Sequence, residues 1–179
     1  MKNWRSVADK GTKFDLVEYT KKFLGDYNHS DVHIYVGCDS QNIRKSKWTG
    51  YVTCVAFHIG TIDGDEFYGR GVHLIFQTEK YKKINDNWTR LWKEVEKSME
   101  AAETLRQAGI LIHQVDLDFN QDELHDSNRL VSAGVGLFVG LGYKVASKPD
   151  ELIASRAADH IIHHTSWKNV KSLNVKSLN

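Results

Sequence analysis

Apolar side chains recur along this chain with two different periods. Over residues 14–24, Phe14, Leu16, Val17, Phe23 and Leu24 follow a helical stripe, and Gly25 is a natural stop, which predicts a short packing helix. Three runs rich in Val, Ile, Tyr and Phe come next, at 32–36, 51–59 and 67–76, divided by the polar stretch 41–47 and by 61–65 with its Asp63-Gly64 pair. Runs of that composition bounded by turn residues predict three strands in an antiparallel meander. Residues 86–107 contain neither Gly nor Pro, and Trp88, Leu91, Trp92, Val95, Met99 and Ala102 repeat at three and four. An amphipathic helix of about six turns is expected there, ended by Gly109. A strand at 110–117, a helix at 127–140, a short strand at 143–147 and a last helix at about 151–164 complete the series. The glycines of the 127–140 helix cost propensity and imply a close approach to the sheet. A meander that continues into β-α-β crossovers predicts a mixed sheet with helices on its faces.

At 179 residues the chain fits one domain, placed here at 1–165. The closing repeat Val170-Lys171-Ser172-Leu173-Asn174 and Val175-Lys176-Ser177-Leu178-Asn179 is too short for a solenoid, so 166–179 is expected to be a flexible tail. Lys plus Arg number 24 against 23 Asp plus Glu, a net charge of +1, so any site for a polyanion must be a local patch. Cys38 and Cys54 sit inside strand patterns without zinc or CxxC spacing and read as free buried thiols. With no signal-like or membrane-length apolar run, the expected location is the cytoplasm, away from membranes.

Charge placement changes the picture more than charge balance does. Asp39 ends the 32–41 strand pattern, Asp118 ends the 110–118 pattern, and Asp159 lies in the last helix. A fourth acid is available on the long helix, where Glu94 and Glu96 flank the apolar stripe on opposite sides and periodicity does not choose between them. Asp116 shares a strand face with Asp118 and is a further candidate ligand. Separated carboxylates delivered to one point are how proteins hold Mg²⁺ or Mn²⁺ for phosphoryl chemistry.

The order β-β-β-α-β-α-β-α, with acids on its first strand, first helix, fourth strand and last helix, resembles the ribonuclease H fold over residues 30–165. The segments Gly37-Cys38-Asp39-Ser40-Gln41, Glu94-Val95-Glu96-Lys97-Ser98, Asp116-Leu117-Asp118, Lys148-Pro149-Asp150 and Ala158-Asp159 are similar to the bacterial YkuK-like family of predicted nucleases. The resemblance implies a five-stranded mixed α/β sheet flanked by helices, with an extra helix at the N-terminus. It also implies a site of Asp39, Glu94, Asp118 and Asp159 holding two Mg²⁺ or Mn²⁺ ions, with Asp39 bridging them, and hydrolysis of phosphodiester bonds in RNA or hybrid or structured nucleic acid. The alternative is the same fold kept as an inactive nucleic-acid-binding or protein-interaction module.

Ser40 and Gln41 beside Asp39, and Arg44, Lys45 and Lys47 in the first hairpin, are the candidate substrate contacts. Trp48, and Lys80, Tyr81, Lys82 and Lys83 further on, add the pairing of basic groups with aromatics that suits phosphates and bases. Trp88 and Trp92 lie on the apolar stripe and are expected in the core. His160, His163 and His164 fall at i, i+3 and i+4 without a clear third metal ligand, and are expected as helix C-terminal charges. There is no nucleophile elbow and no Walker-type loop, so acyl transfer and nucleotide-driven chemistry have no support.

Overall fold

In the computed structural model the described residues are 3–9, 11–27, 32–118, 127–148, 150 and 152–173, with the side chains of 127–131 left aside. Helix α1 (Leu16–Gly25) begins where Asp15 accepts from the backbone N–H groups of Val17 and Glu18, and it buries Leu16, Thr20 and Leu24. Strands β2 (Val32–Asn42), β3 (Trp48–Asp63) and β4 (Glu66–Lys82) form the meander. Their arms run longer than the apolar runs because the ladder pairs Thr61 with Tyr68 and Ile62 with Phe67 out to the tip, where side chains need not be buried. Gly64, with φ of 60°, makes the turn.

Helix α2 (Asn87–Gln107) is capped by Asp86 and followed by Gly109 at φ of 79°. Strand β5 is confined to Gln114–Leu117. Residues 110–113, expected in it, lie outside the ladder, with Ile110 and Ile112 buried around an exposed Leu111. Helix α3 (Ser127–Gly140), strand β6 (Val145–Ser147) and helix α4 (Ala154–His164) follow. A two-residue strand β1 (Arg5–Ser6), without any apolar run to announce it, pairs with Ile75 and Phe76 and makes the sheet six-stranded.

The sheet order is β1-β4-β3-β2-β5-β6, parallel at β2–β5 and β5–β6 and antiparallel elsewhere. Side-chain alternation divides it into two faces. Val32, Ile34, Val36, Val55 and Phe57 pack with α1, α2 and Phe138 of α3 on one. Val52, Cys54, Ala56 and Phe76 pack under Ala154, Ala158 and Ile162 of α4 on the other. Both cysteines are buried and free. Among the described residues no helix is long and apolar enough to cross a membrane.

Three expectations need correction. A close approach to the sheet was expected at the glycines of α3, but a Cβ at Gly136 or Gly140 would meet nothing within 4 Å. Trp88 is 42% exposed in the first turn of α2, stacked on Trp92 at 6.4 Å, because the stripe reaches the sheet only deeper along the helix. The segment from 166, expected to be a loose tail, is packed as far as 173: Trp167–Asn169 is a 3-10 turn, Val170 is buried, and Ser172 bridges to Lys80 while Leu173 N donates to Lys80 O at 2.9 Å. The rest of that segment, 174–179, lies outside the described residues.

Candidate metal and nucleic-acid site

Four elements deliver four acids to the ends of the central strands. Asp39 pairs in register with Val52, so it points to the α4 face, toward Asp159. Burial raises its carboxyl to about 6; the Ser40 backbone N–H opposes that rise, and the charges of Asp159 and Asp118 add to it. Glu94 comes from the opposite face, on α2, and is 3% exposed. Burial holds it well above the ordinary glutamate range, and the nearby Asp39 charge pushes it the same way. Its Oε1 accepts a hydrogen bond from Ser40 Oγ. Arg90, one helical turn before it, donates Nη1 to Ser40 Oγ at 2.7 Å and Ser40 O at 2.9 Å, and reaches Glu94 Oε1 at 3.4 Å. Glu96 points outward, paired with Lys93 at 3.4 Å. The helix thus turns Glu94, and not Glu96, toward Asp39.

Asp118 follows β5, and its Oδ1 lies 2.6 Å from Lys148 Nζ, just past β6. Asp159 is exposed on α4, with His163 Nε2 at 3.2 Å. The His160 and His164 rings are tilted with centroids 4.4 Å apart, and His164 Nδ1 lies 2.7 Å from His160 O, at the C-terminal end of α4. Among the described residues no three His, Cys, Asp or Glu side chains are grouped closely enough to hold a metal ion as they stand. The donors nonetheless suit a hard divalent cation: all are carboxylates, two are raised by burial and mutual repulsion, and one already draws an ammonium to bonding distance.

Asp116 has a different role. Fully buried, it takes the N–H groups of Ile153 (2.8 Å), Ala154 (2.6 Å) and Ser155 (3.4 Å) on Oδ2, and Gln114 Nε2 on Oδ1 at 2.8 Å. It is a cap supplied by β5 to the start of α4, which fixes the helix that carries Asp159. Gly37 serves the same joint, since a Cβ there would stand 2.7 Å from Ser155 N.

Of the candidate substrate contacts, Ser40 is buried and engaged by Glu94 and Arg90, Gln41 is half-buried on the Asp39 face, and Arg44, Lys45 and Lys47 are exposed in the hairpin beyond it. Sequence reasoning assigned no role to Arg90 or Lys148. Arg90 sits one turn before Glu94, a spacing at which helix side chains meet, and that was the available signal. Lys148 stands in a segment that carries the family resemblance, but its pairing with Asp118 gave no local signal, because that partner is 30 residues away in sequence and depends on β5 lying beside β6.

Neither a curated protein nor a solved structure matches the chain. The family model described as Ribonuclease H-like matches residues 15–163, which takes in the whole of α1 to β6 and all but the last residue of α4. With this sheet, these helices and a match over most of its length, the chain belongs to the ribonuclease H-like family, a fold of the nuclease or nucleic-acid-binding kind.

Proposed function

We propose that this single-domain chain is a cytoplasmic, divalent-metal-dependent nuclease that hydrolyses phosphodiester bonds in RNA or in hybrid or structured nucleic acid. What carries the reading is the set of acids around the end of β2: Asp39 half-buried on the strand, Glu94 buried on α2 and held by Ser40 and Arg90, Asp118 just past β5 and Asp159 on α4, with the charges of Asp159 and Asp118 adding to the rise that burial gives Asp39. Carboxylates from four elements that repel one another in this way are stabilised by cation binding, which offsets the repulsion.

Asp39, Glu94, Asp118 and Asp159 would hold Mg²⁺ or Mn²⁺. Bound there, two such ions supply charge stabilisation for the phosphoryl oxygens and a water of lowered pKa. The chain's own contribution is placement. Ser40 and Arg90 orient Glu94 and keep its oxygens from turning away into the helix layer. The Asp116 cap fixes the first turn of α4, and Asp159 stands just over one turn further along. Gln41, Arg44, Lys45 and Lys47 lie on the side from which a phosphate backbone would approach.

Asp39→Asn and Asp118→Asn are each expected to remove cleavage of labelled RNA and RNA/DNA hybrid in Mg²⁺ or Mn²⁺ while far-UV circular dichroism stays unchanged. Cleavage that persists at the wild-type rate in the folded double variant sinks the proposal. The second reading, a nucleic-acid-binding module without turnover, draws on the Lys148 ammonium already paired with Asp118. It is favoured if nucleic acid binds but millimolar Mn²⁺ does not.

A further inference from the structure

We propose that the α4 face of the sheet continues past Asp39 into a track for single-stranded nucleic acid, with Trp48 as a base-stacking platform and Lys45, Lys47, Lys82 and Lys83 as its phosphate contacts. The inference rests on the nucleic-acid reading above and names its substrate class.

Register puts Trp48 and Lys82 in one strip with Asp39, and the cavity beside Trp48 brings Lys45, Lys47 and Lys83 to it. Along β3, Trp48, Gly50 and Val52 project to the same face, and their partners are Lys82 for Trp48, Gln41 and Lys80 for Gly50, and Asp39 for Val52. Four residues of strand separate Trp48 from the residue paired with Asp39, about 13 Å. The strip therefore runs from the acids, over Gln41, to an indole with two cations over its ring, Lys47 Nζ at 5.6 Å and Lys80 Nζ at 5.8 Å from the centroid, of which the exposed Lys47 is the one a stacking base displaces. Beside it opens a cavity of about 730 Å³ whose lining includes four lysines, Trp48 and no acid. In a chain with 24 basic and 23 acidic residues, that is a strong local departure from balance.

The strip is also rigid. Gly50 leaves room for the Trp167 ring, which a Cβ would meet at 2.4 Å, and Lys80 Nζ donates to Trp167 O at 2.9 Å, so Lys80 is tied down as part of the floor. Lys83 N donates to Lys47 O at 2.9 Å, closing the hairpin end against β4. A half-buried indole between cations on a fixed backbone offers a π-face at little ordering cost. Only an unstacked base can use that face, because in a duplex neighbouring bases cover it. A single strand is therefore the ligand this strip fits, with the lysines spaced along it for phosphates.

The test is fluorescence anisotropy of the full chain in EDTA, with labelled oligouridylate and oligothymidylate of about twelve nucleotides and a duplex of equal length. The single strands are expected to bind more tightly than the duplex. Trp48→Ala is expected to weaken them about tenfold, and Trp48→Phe by much less, because the ring is retained. Lys47→Gln and Lys82→Gln are each expected to lower affinity and reduce the salt slope by about one. Trp48→Phe and the lysine variants guard against a Trp48→Ala chain that does not fold. Duplex binding equal to single-strand binding, or wild-type affinity in folded Trp48→Ala, overturns the track. These measurements need no turnover. Cleavage that survives Asp39→Asn would defeat the nuclease proposal, while binding in EDTA decides the track on its own.

Discussion

His113 shows how much one side chain in this fold is asked to do without touching the acids. The backbone N–H of His113 donates to Ile34 O at 2.8 Å, and the ring Nδ1 accepts from Ile34 N at 2.9 Å, so the ring must be neutral to serve as acceptor. Burial lowers its pKa to about 4, helped by His33, which stacks on it at 4.2 Å and is itself lowered by burial, His58 and Lys144. A depressed histidine binds fewer protons folded than unfolded, so stability is complete above the unfolded value of 6.5 and is lost as pH falls toward 4. Discounted for partial exposure, the loss is about 2 kcal/mol. In His113→Asn, Oδ1 stands where Nδ1 was and does not titrate. Urea melts at pH 7, 5 and 4 should show a smaller acid-side loss in the variant, and equal losses in both chains would contradict this account.

Helix α4 is the element whose position decides whether Asp159 is near Asp39 at all. It has no side-chain cap of its own at Ile153 and depends on Asp116 from β5 and on the flat surface left by Gly37 in β2. In Gly37→Ala the new methyl meets backbone atoms of Ala154 and Ser155 at 2.7 to 3.1 Å, so the helix must lift. A loss of about 1–3 kcal/mol is expected in thermal or urea melts, with the proposed nuclease activity falling further than the unfolded fraction explains. A Gly37→Ala variant as stable and as active as wild type would show that α4 needs no such close seat.

The same element marks what was legible in the sequence. Long periodic segments such as α2 and the buried middles of β3 and β4 declared themselves, because burial imposes a pattern that local sequence carries, whereas the outer arms of the two strands did not. So did the candidacy of Asp39 and Asp118 at strand ends. The choice between Glu94 and Glu96, the assignment of Asp116 to a helix cap and the docking of Trp167 on Gly50 did not. Each depends on a partner far along the chain, and no local pattern reports such a partner. Strand β1 escaped for a simpler reason, since two residues have no period.

At the scale of the molecule, the sheet is a wall with Glu94 reaching its end from the α2 side and Asp39 and Asp159 from the α4 side. Two helix layers are thereby coupled through one set of charges, and a cation bound there, as proposed, would stabilise the whole fold by mass action. Millimolar Mn²⁺ is expected to raise the melting temperature of the EDTA-treated chain by about 2–4 °C, corresponding to ~1 kcal/mol. Asp118→Asn should abolish most of that rise. Lys148 supplies the control, because its ammonium, 2.6 Å from Asp118 Oδ1 and 48% exposed, competes for the same oxygen. An exposed pair of this kind is worth about 0.2–1 kcal/mol, so Lys148→Met should shift the Mn²⁺ midpoint to a concentration a few-fold lower. A midpoint that moves upward instead would mean that Lys148 helps to build the site rather than standing in for its cation, and a melting temperature indifferent to Mn²⁺ in every variant would leave the four acids without the partner their charge calls for.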